Sequence, residues 1–290
     1  MNTPLYRNGY AGQPWLVEER DACGVGFIAH QQGQKSHDLL EKTMVALGCM
    51  EHRGGCSADR DSGDGSGVLT AIPWGILQPE LGLDPETIAQ LRVGVGMFFL
   101  PQDPALQAIC REIAVEEVAK LGLKFLGWRS VPVKTEVLGV QAKENQPDIE
   151  QLLVQSEDLA LAGDDFERLL YRLRRRIGNG VSERFVAEGY GDRRNDFYPC
   201  SLSCRTIVYK GMVRSEVLGE FYQDLKNPAF EASFAVYHRR FSTNTMPRWP
   251  LAQPMRMVGH NGEINTLLGN INWMVARQPI LESTTLGEGL

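Results

Sequence analysis

Hydrophobic and polar positions change period repeatedly along this 290-residue chain. The short apolar stretch Cys23 to His30, bounded by polar residues, predicts a buried strand beginning at or beside Cys23. The period then lengthens. Leu39, Leu40, Met44, Leu47 and Met50 recur at three- and four-residue steps behind Ser36, a suitable N-cap, and ahead of Gly54-Gly55, which predicts a helix. From Gly54 to Gly67 there are five glycines and three aspartates, followed by a predicted strand at Val68–Ile72. So much glycine requires the backbone to approach other atoms closely.

The pattern changes character between about 85 and 190. A strand is expected at 92–100, a helix behind Asp103-Pro104 ending near Gly122, a strand near 124–133 and a basic helix around Asp165–Arg176. This segment reads as an inserted α+β lobe. Strands are expected again at Ser203–Tyr209, Phe234–Phe241 and Met255–Gly259, then a helix from about Glu263 to Arg277. Strand, helix, strand at the start and more strands with a helix at the end suit an α+β fold of two sheets between helical layers.

Composition narrows the classes. With 43% hydrophobic and 23% charged residues the chain has the make-up of a folded globular protein. Its best apolar run, Val93 to Leu100, is broken by Gly94 and Gly96 and falls far short of the roughly 20 residues of a membrane span. A net charge of −6 gives no footprint for nucleic acid or anionic lipid, so small-molecule partners are favoured. Residues 1–22 lack an apolar core, and their acidic residues do not suit a transit peptide, which leads to a cytoplasmic expectation. Six irregularly spaced cysteines suit a reducing compartment and free thiols.

Three segments carry candidate chemistry. Cys23 precedes a Gly-Val-Gly strand, where a lone cysteine is a buried small side chain or a nucleophile. The run His238-Arg-Arg-Phe-Ser-Thr-Asn-Thr245 places two arginines and several hydroxyls at a strand end, either a solvated terminus or a clamp for a carboxylate. Gly259-His-Asn-Gly-Glu263 is a turn, or an amide side chain beside a glycine N–H that forms an oxyanion hole.

Taken together with Glu51-His-Arg-Gly54, Asp64-Gly-Ser-Gly67 and Gly269-Asn-Ile-Asn272, these segments resemble class II glutamine amidotransferase domains of the N-terminal-nucleophile hydrolase type, most closely those of glutamate synthases. The leader Pro14 to Asp21 is similar to the ferredoxin-dependent branch. The resemblance implies an α/β/β/α sandwich in which residues 23–290 form the amidotransferase domain and residues about 85–190 the inserted lobe. It implies Cys23 as the nucleophile that attacks the side-chain amide of L-glutamine, and Asn261 and Gly262 as the oxyanion hole. Arg240 with Thr243 would clamp the substrate α-carboxylate, and Arg53 would support the site. The base would be the nucleophile's own α-amine, which makes residues 1–22 a propeptide.

The family's aspartate for the substrate α-amino group has no assignable match before Leu290. No metal or cofactor is expected on these residues. FMN and an iron-sulfur cluster would belong to C-terminal synthase domains, which join ammonia to 2-oxoglutarate with ferredoxin as donor. The pair Cys200 and Cys204 supplies too few ligands for a cluster. Two other readings stand beside this one: a different N-terminal-nucleophile amidotransferase or amidase, and a catalytically silent fragment that binds glutamine or a partner protein.

Overall fold

Two antiparallel sheets of four strands each frame the structure, a computed structural model that describes residues 24–50, 61–239, 247–256 and 267–283. In chain order its elements are β1 (Val25–Ala29), α1 (His37–Cys49), β2 (Ser66–Ala71), α2 (Trp74–Leu81), α3 (Pro85–Ala89), β3 (Val93–Leu100), α4 (Pro104–Lys120), β4 (Lys124–Ser130) and α5 (Val140–Glu144). There follow β5 (Asp148–Gln155), α6 (Gly163–Ala187), β6 (Tyr198–Ser203), β7 (Thr206–Gly211), α7 (Leu218–Phe221), β8 (Phe234–Arg239) and α8 (Leu267–Arg277). The first sheet runs β1-β8-β2-β7 and the second β4-β5-β3-β6.

Local sequence signals explain most of these elements. Ser36 caps α1 by accepting from the Leu39 amide at 3.3 Å, and the three- and four-residue steps bury Leu39, Leu40, Thr43 and Leu47. Asp103 caps α4 in the same way, with Pro104 in the first turn. All eight residues of β3 are buried, as expected of an inner strand covered on both faces. Phe98 and Phe99 there are 0% and 1% exposed, and each contributes about 1.5–3 kcal/mol by leaving water. The basic helix, expected over Asp165–Arg176, runs on to Ala187 as α6. Ile177, Val181 and Phe185 continue the buried stripe begun by Phe166, Leu170 and Leu173.

The structure departs from the sequence pattern at three places. Ser203–Tyr209 is not one strand but the junction of β6 and β7. The Ser203 hydroxyl accepts from the amides of Arg205 and Thr206 at 2.9 and 3.0 Å, which fixes a turn between the sheets. The strand β5 was not foreseen, because Asp148, Glu150 and Gln151 interrupt its apolar run. Of the strand expected at Met255–Gly259, Met255 makes a single bridge and Arg256 turns the chain with φ 51°. The remainder of that segment, 257–259, lies outside the described residues, as do 263–266 of the last expected helix.

Two hydrophobic clusters hold these layers. One gathers Val68, Ile207, Tyr209 and Ala235 of the first sheet with Val95, Met97, Phe99, Ile149 and Leu153 of the second, together with α1 and α2. The opposite face of the second sheet, including Phe98, Leu152, Val154 and Leu202, packs against α4 and α6. Residues 93–203 thus supply every strand of the second sheet. Among the described residues no helix is long and apolar enough to cross a membrane.

Candidate active site

One end of the first sheet collects the chain segments that flank the candidate chemistry. Antiparallel pairing sets Val25 opposite His238 and Ser66 opposite Arg239. The Arg239 amide donates to the Gly24 carbonyl at 2.6 Å, so Gly24, Arg239 and Ser66 meet at one strand end. This alignment follows from β8 lying between β1 and β2.

A polar network anchors that end. Arg239 is only 4% exposed; its Nη1 donates to the Ser215 hydroxyl and lies 3.4 Å from Glu216 Oε2. Ser215 in turn donates to Glu216 at 2.9 Å. Burial pushes the Glu216 carboxyl up, but its own amide, the Ser215 hydroxyl and the charges of Arg239 and Arg214 hold it below the usual range. The Ser66 hydroxyl donates to the Val213 carbonyl at 2.7 Å, tying β2 to the same segment.

The glycine-rich approach to β2 behaves as its composition requires. A Cβ on Gly63 would sit 2.6 Å from the Arg214 amide nitrogen, and one on Gly67 would sit 2.6 Å from the Gln253 carbonyl oxygen. Beside it, the Ser62 hydroxyl accepts from the Ala142 amide at 2.9 Å, and Trp249 Nε1 donates to the Ala142 carbonyl at 3.1 Å. The short helix α5 is therefore fastened to the strand end from both sides.

Every residue the sequence reading assigned to the site, Cys23, Arg53, Arg240, Thr243, Asn261 and Gly262, lies outside the described residues. What the structure brings together is their neighbours: Gly24 and Arg239 within one hydrogen bond, and Ser66 in register beside them. Sequence reasoning missed Arg239, Ser215, Glu216 and Ser62. The Arg239-Arg240 pair was visible, but nothing in it says which arginine braces the core, and Ser215-Glu216 gives no signal at all.

Three cysteines outside the predicted site are chemically quiet. Burial pushes the thiols of Cys110, Cys200 and Cys204 up to about 12, so they stay protonated at neutral pH. Among the described residues no group of three or more His, Cys, Asp or Glu side chains is placed to hold a metal ion.

Comparison with known proteins decides the family. The family model described as glutamine amidotransferases class-II matches residues 23–290. The chain belongs to that family. Its relatives include ferredoxin-dependent glutamate synthase 2 of Synechocystis sp., 60% identical over 94% of this chain, and ferredoxin-dependent glutamate synthase of Pyropia yezoensis, 52% identical over 92%. The chloroplastic ferredoxin-dependent glutamate synthase of Spinacia oleracea is 49% identical over 92%. This class II amidotransferase chain spans only 17%, 17% and 16% of the lengths of those three proteins. The family match takes in all six predicted site residues and opens at Cys23.

Proposed function

We propose that this chain hydrolyses L-glutamine to glutamate and ammonia with Cys23 as nucleophile. The Cys23 thiolate attacks the side-chain amide carbon; ammonia leaves with the proton taken from the thiol; water then cleaves the γ-glutamyl thioester and restores the thiol. The α-amine of Cys23 moves that proton, with a reference pKa of roughly 7.7–8.0 against about 8.5 for a thiol, so transfer is nearly balanced. A free α-amine requires removal of residues 1–22 as a propeptide. Asn261 and the Gly262 N–H receive the oxyanion, Arg240 and Thr243 hold the substrate carboxylate, and Arg53 orients the site.

The observation that supports this reading is the 2.6 Å bond between Gly24 and Arg239. Cys23 immediately precedes Gly24 and Arg240 immediately follows Arg239, so nucleophile and carboxylate clamp would adjoin one strand end. An α/β/β/α sandwich with 85–190 as an inserted lobe belongs to the same proposal, supported by the core shared between the sheets and by α4 and α6 behind the second. So does a cytoplasmic compartment, supported by the leader's composition, although the spinach relative is named as chloroplastic.

In the longer protein the ammonia would serve glutamate synthesis from 2-oxoglutarate, with FMN, an iron-sulfur cluster and ferredoxin acting in other domains. The described residues of this chain do not suit such a cluster. Cys200 and Cys204 are buried thiols, whereas cluster ligands are thiolates, and no step here passes through either group.

Kinetics on an active form separate the assigned roles. Arg240 grips a charge present in substrate and transition state alike, so Arg240→Lys should raise KM and leave kcat nearly unchanged. Asn261 meets charge that appears only on the tetrahedral intermediate, so Asn261→Ala should lower kcat by about 10² to 10³. A normal kcat with only KM altered in Asn261→Ala would remove the oxyanion assignment.

A further inference from the structure

Two cationic side chains meet at one tyrosine and a third lies close by, and among the described residues no carboxylate pairs with any of them. Lys210, on β7, is fully buried; its Nζ donates to the Pro250 carbonyl at 2.8 Å and lies 4.7 Å from the centre of the Tyr198 ring. Arg256 reaches the same residue, its Nη1 donating to the Tyr198 hydroxyl oxygen at 3.5 Å. Arg174, from α6, stacks over the Tyr171 ring at 5.3 Å and lies near enough to Arg256 and Tyr198 to feel both. Burial, reinforced by the Arg256 charge, pushes the Arg174 guanidinium down to about 10.

Such an arrangement costs free energy in the unliganded protein. The buried Lys210 ammonium gives up hydration and the half-buried guanidiniums of Arg174 and Arg256 repel one another, while a carbonyl dipole and an aromatic face compensate only in part. By contrast, Arg111 is matched to Glu150 and Arg129 to Asp224, while buried Arg92 is satisfied by the Gln90 amide oxygen and the Ser156 and Glu157 carbonyls. Among the described residues none of Arg174, Arg256 and Lys210 has an ion pair. Tyr198 adds a fourth donor. Because Arg256 donates to the phenol oxygen, the O–H proton is left to point at another acceptor.

We propose that Arg174, Arg256, Lys210 and Tyr198 form a binding site for a small oxyanion, a carboxylate or a phosphate, made of residues that take no part in the glutamine chemistry proposed above. Lys210 supplies charge from the buried floor. The guanidiniums of Arg174 and Arg256 supply the planar forks that suit a two-oxygen anion. Arg174, Arg256 and Tyr198 are each half-buried, so the cluster is within reach of solvent. Through Arg256, five residues ahead of Asn261, an occupant would touch the chain that leads into the proposed oxyanion segment.

The test is thermal melting of the chain against inorganic phosphate and, separately, glutarate, with ionic strength held constant by chloride. At least one anion should raise the melting temperature saturably. Glutarate also tests for a free dicarboxylate as the source of the anion, and phosphate for an inorganic one. The double variant Arg174→Gln/Arg256→Gln should lose the response. Tyr198→Phe, which keeps the ring, should weaken it about tenfold, and it decides the matter if the double variant fails to fold. Arg240→Gln should abolish any response to glutamine while leaving the phosphate or glutarate response intact, so failure of the glutamine reading and failure of this one are distinguishable. A response to neither anion, or equal responses in wild type and Tyr198→Phe, overturns the proposal.

Discussion

Arg129 and Arg174 are both charged side chains drawn into the protein, yet their surroundings are opposite. Arg129 is bidentate to Asp224 at 2.8 and 2.9 Å, reaches Glu80 at 2.8 Å and touches Gln151 at 3.1 Å. Tyr209 closes the set, donating to Asp224 at 2.9 Å and accepting from Gln151 at 3.2 Å. Burial would push Arg129 down, but Asp224 and Glu80 carry it above its ordinary value. Around Arg174 the neighbours are Arg256, Arg175 and aromatic rings, and its guanidinium moves down instead. A cation wired to a buried carboxylate, and through Tyr209 to β7, fastens the two sheets to each other; a cation left among like charges is available to something that is not part of the fold.

The largest expected effect breaks the wired side of that comparison. Arg129→Ala leaves Asp224 buried without its counter-charge, and denaturant unfolding should show a loss of about 3–5 kcal/mol. A loss below about 1 kcal/mol would mean that the network is not holding the sheets together. Next comes the strand end. Gly67→Ala forces a methyl against the Gln253 carbonyl and Lys210, and should cost about 1–3 kcal/mol in the same measurement.

Acid should act on the Glu216 network in a definite direction. Its carboxyl is held below the ordinary 4.5, so its contribution is present above that value and is lost as pH falls through the folded-state value. The stability gap between wild type and Glu216→Gln should therefore be widest near neutral pH and narrow below 4.5, read from melting temperatures across the acid range. A gap independent of pH would show that Glu216 is not ionised in its network. Smallest of all, Arg174→Gln should shift stability by no more than about 0.5 kcal/mol, because no ion pair is lost and a repulsion is relieved.

How much of this was legible follows from where each partner lies. The caps at Ser36 and Asp103, the apolar periods of α1 and α6 and the run of β3 are local, so the chain announces them within a few residues. By contrast, β5 is polar at Glu150 and Gln151, whose partners Arg111, Arg129 and Tyr209 stand 22 to 58 positions away, and no window of sequence pairs them. The turn between β6 and β7 rests on one serine hydroxyl. At the candidate site the motif residues were readable as chemistry. The braces behind them, Arg239 with Ser215 and Glu216, were not, since they meet only when β8 is laid beside the segment after β7.

The most direct measurement of the proposed chemistry is intact-mass and peptide mapping after treatment with a glutamine-like diazoketone. Burial keeps the thiols of Cys110, Cys200 and Cys204 protonated, so they offer little competition to a true nucleophile. The expected product is a single adduct on Cys23 at the amino terminus of a chain that has lost residues 1–22, absent from Cys23→Ala. An adduct at another cysteine, or full labelling of a chain whose leader is still attached, would contradict Cys23 as a nucleophile served by its own α-amine.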